Sequence, residues 1–145
     1  MALARQLTIG QVASGTGIKV VTIRYYEQIG LLPGPPRTEG NYRVYDQEHV
    51  RRLRFIRRCR DLGFSLDQVH GLLRLSSEKT KACAEVDRIT KQHLAGVEEK
   101  IAALTCLASE LRRMIRRCRG EGLIADCHII EALTAEAQRR NNART

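Results

Sequence analysis

Residues 8–32 read TIGQVASGTGIKVVTIRYYEQIGLL. Thr8 is a helix-capping residue, because its hydroxyl can accept from an amide two or three residues on. Behind it Ile9, Val12 and Ala13 share one face of a short helix that Gly15 and Gly17 end. After a short turn, a second helix is predicted from Val20 to about Gln28. Gly30 closes it where left-handed backbone favours glycine. Two short helices joined by a glycine-containing turn make a helix-turn-helix.

Downstream, residues 31–45 (LLPGPPRTEGNYRVY) hold too much Pro and Gly for a helix, and the alternating NYRVY predicts a small β-ribbon. Asp46 then caps a helix reaching about Leu62, packed with Arg51, Arg52, Arg54, Arg57, Arg58 and Arg60. Leu53, Phe55, Ile56 and Leu62 are expected on its buried side. Gly63 stops it, and Ser65 with Gln68 forms a capping box for a helix over Leu66–Leu75. Residues 76–81 are polar and read as a loop or hinge. From about Ala82 to Arg117, Leu94, Val97, Ile101, Leu104, Ala108, Leu111 and Ile115 recur at alternating steps of three and four. That narrow stripe is a coiled-coil seam and implies a partner helix. Residues 119–126 form a glycine-containing loop, Cys127–Ala137 a last short helix, and the tail 138–145 (QRRNNART) is expected to be disordered.

Composition narrows the function. The 145 residues allow one domain, or a small domain with an extension. Aromatics are 4% with no Trp, and the aliphatic remainder suits helices. Against 16 Asp+Glu stand 25 Lys+Arg, a formal charge of +9, which points to a polyanionic partner. No apolar run approaches the roughly 20 residues of a membrane span. The start, MALARQLTIGQ, lacks the apolar stretch of a secretory signal, so a cytoplasmic location is expected. In that reducing compartment the 5 cysteines read as free, reactive or metal-bound rather than as disulfides. No glycine-rich phosphate loop and no Ser/His/Asp set appears, so no enzyme is expected. A simple metal buffer would not need a helix-turn-helix.

The second helix and the turn before it carry Lys19, Thr22, Arg24, Tyr25 and Tyr26. Such a helix fits the major groove, where Arg reaches a guanine edge and Thr a thymine methyl. The ribbon carries Arg37, Asn41, Tyr42, Arg43 and Tyr45, which suit phosphate oxygens. In the competing reading Tyr26 and Tyr45 are core aromatics.

Residues 8–32, followed by EGNYRVYDQEHVRRLRFIRRCRDLGFSLDQV at 39–69, resemble the DNA-binding domain of the MerR family of bacterial regulators. The resemblance implies a mainly α fold: a winged helix-turn-helix DNA-binding domain (1–76), a long dimerisation helix pairing antiparallel with its twin (77–118), and a C-terminal metal-binding loop, short helix and tail (119–145). It places Thr22, Arg24 and Tyr25 in or beside the major groove, and Arg43, Tyr45 and Arg60 on phosphates.

Cys83 and Cys118 are 35 residues apart, five heptads, and share the seam face. About 50 Å of helix separates them, so one ion cannot touch both within a chain. With the antiparallel pairing that the resemblance implies, Cys83 meets Cys118 of the partner subunit, and this happens twice. Gly120 and Gly122 let the loop after Cys118 fold back to deliver Cys127 as a third thiolate. Soft thiolates suit Hg, Cd, Pb or Zn, one ion per chain at the dimer interface. A Cys at position 83 resembles the family's divalent-ion sensors; its monovalent-copper sensors carry Ser there. A fourth ligand could come from His128, Asp126 or water. His93 lies about ten residues from Cys83, too far along a helix to share its ion. Cys59, among arginines, is either activated or simply packed, and Cys106 fits no site.

The resemblance implies a dimer that holds promoter DNA in an unproductive shape until metal binding bends and untwists it for RNA polymerase, with an efflux or detoxification system under its control. The alternative is a thiol-redox regulator of the same family without metal, using Cys59 or a Cys83/Cys118 disulfide.

Overall fold

The computed structural model describes residues 5–118 and 120–143. Arg119 of the expected loop, and Arg144 and Thr145 of the expected tail, lie outside them. The chain divides into two compact units, Met1–Ile89 and Thr90–Thr145.

In the first unit, α1 (Ile9–Thr16) starts at a capping box in which Thr8 Oγ1 accepts from the Gln11 amide and Gln11 Oε1 from the Thr8 amide. It ends at Gly17, whose φ of 70° is left-handed. Helix α2 (Val20–Gln28) follows directly. Asp46 and Ser65 likewise cap α3 (Gln47–Asp61) and α4 (Leu66–Ser76) through boxes with His49 and Gln68. The starts of α1, α3 and α4 are thus fixed by local capping chemistry, whereas α2 has no side-chain cap.

One core joins these helices. Ile23, Leu53, Ile56 and Val69 are fully enclosed, with Val12, Leu31 and Leu32 nearly so. The inner stripe of α3 is Val50, Leu53, Ile56 and Cys59. Phe55 and Leu62, expected inside, are instead exposed: Phe55 lies off this stripe, and Leu62 is the C-cap beyond the end of the helix. Several arginines of α3 turn out to be structural. Arg52 Nε donates to the Leu31 carbonyl at 2.8 Å, Arg57 to Thr16 and Arg60 to Phe64. Each donates to a carbonyl at a helix end or turn. The Arg57 guanidinium occupies the place where a Cβ on residue 17 would stand, a second reason for glycine there.

The expected β-ribbon is reduced. Among the described residues it appears as two isolated antiparallel bridges, Leu7 with Tyr45 and Arg37 with Arg43. Pro33, Pro35 and Pro36 have no N–H to extend a ladder, although the Pro36 carbonyl accepts from Val44 at 2.9 Å. The tip turns at Asn41, in left-handed backbone at φ 66°.

Helix α5 (Ala84–Arg117) is continuous, and none of its residues is fully buried. Ile89 packs on the core of the first unit. Along the remainder, the seam residues Ile101 and Leu104 stand 57% and 64% exposed. In the second unit, a short 3-10 turn at Ile124–Asp126 precedes α6 (His128–Asn142). This helix is longer than expected: residues 138–142 of the presumed disordered tail belong to it. Gln138, Arg139 and Arg140 are good helix formers, no Gly or Pro interrupts the segment, and Glu136 pairs with Arg140 one turn on.

Candidate functional site

Two places concentrate the chemistry. The first is the exposed face of α2 with the ribbon beside it. Ile23 and Tyr26 turn inward, leaving Lys19, Arg24 and Tyr25 exposed and Thr22 half-buried. Arg24, Arg37, Asn41, Tyr42 and Arg43 meet Thr8 and Ile9 around a hollow of about 360 Å³. The helix and the ribbon therefore offer one continuous basic surface. Arg37 Nη1 donates to the Asn41 carbonyl and side-chain oxygen, stiffening the tip. The Tyr42 ring projects into solvent beside Gly40, where a Cβ would crowd it.

Tyr45 departs from expectation. It was placed on phosphate, but it is wholly buried, and its hydroxyl donates to Glu27 Oε1. Burial first, and then that hydrogen bond to a carboxylate, push its phenol far above the ordinary range. A side chain with no exposed surface cannot touch DNA in this conformation. Its role is to fasten the base of the ribbon to α2. Arg43 Nε faces the other Glu27 oxygen at 3.5 Å. Glu27 thus joins α2 to the ribbon, and sequence reasoning missed it. The available signal was a lone carboxylate on an otherwise uncharged-to-basic helix beside two tyrosines. Arg60 keeps an exposed side chain, with one of its five N–H donors held by Phe64.

The second place is the end of α5. The helix stops at Arg117, and the Cys118 amide still bonds back to Met114 at 3.1 Å. Gly120 (φ 71°) and Gly122 (φ 102°) reverse the chain. It returns so that Cys118 and Cys127 line one hollow, where the Cys118 side chain helps to lower the Cys127 thiol's pKa. Cys127 stands immediately before α6, where its carbonyl accepts the Glu131 amide. Its side chain makes no full capping bond, but the amides of Ile130 and then Ile129 favour the thiolate, with Cys118 adding to them. These hold the Cys127 thiol below its ordinary range. A hollow of about 440 Å³ lies between the two cysteines, lined also by Asp126 and His128.

His128 turns Nδ1 toward Glu131 at 3.7 Å. Among the described residues no three His, Cys, Asp or Glu side chains converge on one point. Cys83 is exposed at the start of α5, where its carbonyl accepts the Asp87 amide. Cys106 is exposed farther along that helix. Cys59 is buried, and burial raises its thiol pKa, so it is a core residue and not an activated one.

The first unit has the architecture of a helix-turn-helix DNA-binding domain, and comparison with known proteins agrees. Residues 7–76 match the MerR HTH family regulatory protein pattern, and residues 50–114 match the MerR, DNA binding pattern. The HTH-type transcriptional regulator HmrR of Sinorhizobium medicae is 41% identical over 127 residues, covering 88% of this chain and 86% of that protein. The transcription regulator PbrR691 of Ralstonia metallidurans, solved in complex with lead(II), superposes with a TM-score of 0.77 at 38% identity, covering 88% of this chain and 98% of that one. The regulator MerR of Bacillus megaterium, solved with mercury(II), gives 0.68 at 31% identity, covering 88% and 99%. The chain belongs to the MerR family of helix-turn-helix regulatory proteins.

Proposed function

We propose that this protein is a metal-responsive transcription regulator that works as a homodimer on promoter DNA. The observation that carries the metal reading is the Cys118–Cys127 pair, brought together by the Gly120–Gly122 reversal. Two thiols lining one hollow, one of them already biased toward thiolate, are a donor set for a soft divalent ion such as Hg, Cd, Pb or Zn. Two is too few for a closed site, and Cys83 of the partner subunit supplies the third. The lead and mercury complexes of the two related regulators support soft-metal chemistry.

On the DNA side, Lys19, Thr22, Arg24 and Tyr25 address the major groove, and Arg37, Asn41, Tyr42, Arg43 and Arg60 hold phosphates. Tyr45 acts indirectly, by fixing the ribbon. The exposed seam of α5 is the dimerisation face.

The bound ion supplies a tie between the start of α5 in one subunit and the C-terminal loop of the other. Cys83 stands at the edge of the DNA-binding unit, so holding it selects one orientation of that unit by its differential affinity for the two states. DNA bent and untwisted in that state, at a deformation cost of several kcal/mol, becomes a substrate for RNA polymerase. The regulated promoter serves metal efflux or detoxification, and the protein acts in the cytoplasm.

Transcription in vitro tests the scheme. Cys83→Ser, Cys118→Ser and Cys127→Ser are each expected to retain promoter binding and lose metal-dependent activation. Full induction in the three variants would refute the ligand set. The same pair of cysteines on one hollow supports one other reading, a Cys118–Cys127 disulfide acting as a redox switch without metal. Activation by peroxide in metal-free buffer distinguishes it.

A further inference from the structure

The outward face of α2 contains one residue that basic-surface logic does not explain. Val21 is 76% exposed in the first turn of the helix, while Ile23 and Tyr26 take the core positions. Its branched side chain adds nothing to the core and is a weaker helix former than alanine, so local stability does not account for it. One turn on, Tyr25 shares its face and is 47% exposed. The two make a short apolar strip flanked by Lys19 and Arg24.

In a helix-turn-helix, the residues at the start of the second helix reach base edges. Along the major-groove edge of a duplex the apolar group is the C5-methyl of thymine. Sequence reasoning gave that contact to Thr22, but Thr22 is half-buried, and Val21 is the more accessible neighbour. We infer that Val21 is a specificity-determining residue: its isopropyl group packs on a thymine methyl and imposes a thymine at one position of each half-site. The inference rests on the DNA-binding reading above and adds to it a named base.

The full-length protein is used to select duplexes from a random-sequence pool, and the enriched site is resynthesised with each thymine in turn replaced by deoxyuridine. That change removes the methyl and leaves every hydrogen-bonding group in place. At one thymine per half-site, binding is expected to weaken about fourfold, the worth of one buried methyl, and about fifteenfold with both half-sites changed. In Val21→Ala the thymine-to-uracil ratio at that position falls to about one, with the helical melting curve unchanged because the side chain is exposed. Val21→Ala retaining the wild-type ratio, or a site at which no thymine methyl matters, overturns the inference while leaving DNA binding intact. A pool with no enriched sequence overturns the DNA-binding reading itself, and this inference with it.

Discussion

Glu27 keeps only 10% of its side chain exposed, with Tyr45 Oη on one oxygen and Arg43 Nε facing the other. Removing the carboxylate strands a buried hydroxyl and frees a ribbon arginine. Glu27→Leu is expected to lower stability by about 1–3 kcal/mol, read from the urea midpoint, and to weaken DNA binding through the loosened ribbon. An unchanged midpoint would mean the network is ornamental. Cysteine reactivity is the second residue-scale test. The backbone amides of Ile130 and Ile129 hold the Cys127 thiol below the ordinary range, whereas burial raises that of Cys59. In the metal-free native protein, iodoacetamide is expected to label Cys127 at a pH below that at which an ordinary thiol reacts, and to leave Cys59 untouched until unfolding. Mass spectrometry of the labelled peptides checks both.

At the scale of elements, the first turns of α1, α3 and α4 are held by side-chain caps, and Asp46 is the ionisable one. Its carboxylate accepts the His49 amide at 3.0 Å, which with the His49 side chain holds its pKa below the usual carboxylate value. A depressed folded value means the cap contributes fully above the ordinary range and is lost as pH falls through the folded one. Asp46→Ala is expected to cost about 1 kcal/mol at neutral pH. It should also flatten the acid limb of the stability profile, measured by thermal melts between neutral and acid pH. These caps were legible in the sequence because a cap is a matter of three or four neighbouring residues. What was not legible depends on distant partners. The Arg57–Thr16 and Arg52–Leu31 bonds cross 41 and 21 residues, so arginines that read as a basic face proved to be carbonyl anchors. Tyr45 looked like a surface tyrosine because its burial comes from packing, not from its neighbours in the chain. The length of α6 escaped the sequence reading for a different reason: a chain terminus reads as disordered, whereas Gln138, Arg139 and Arg140 continue the helix.

For the molecule as a whole, the formal charge of +9 and the helix-turn-helix agree on a polyanion, and the exposed α5 seam asks for a second copy. If the seam pairs two copies as proposed, Ile101→Asp with Leu104→Asp is expected to turn a dimer into a monomer in sedimentation. The fold of the DNA-binding unit should survive, because these residues lie outside its core. Two glycines and eight intervening residues led to the expectation that Cys127 returns toward Cys118, and both line one hollow in the structure. The contribution of Cys83 from a second chain remains the central claim. Its most direct test is an anaerobic ultraviolet titration of the reduced protein with Hg, Pb, Cd and Zn, alongside Cys83→Ser. The account predicts thiolate-to-metal absorption saturating at one ion per chain in the parent protein and lost in the variant. Bands of undiminished intensity in Cys83→Ser would contradict it and confine the site to the Cys118–Cys127 loop.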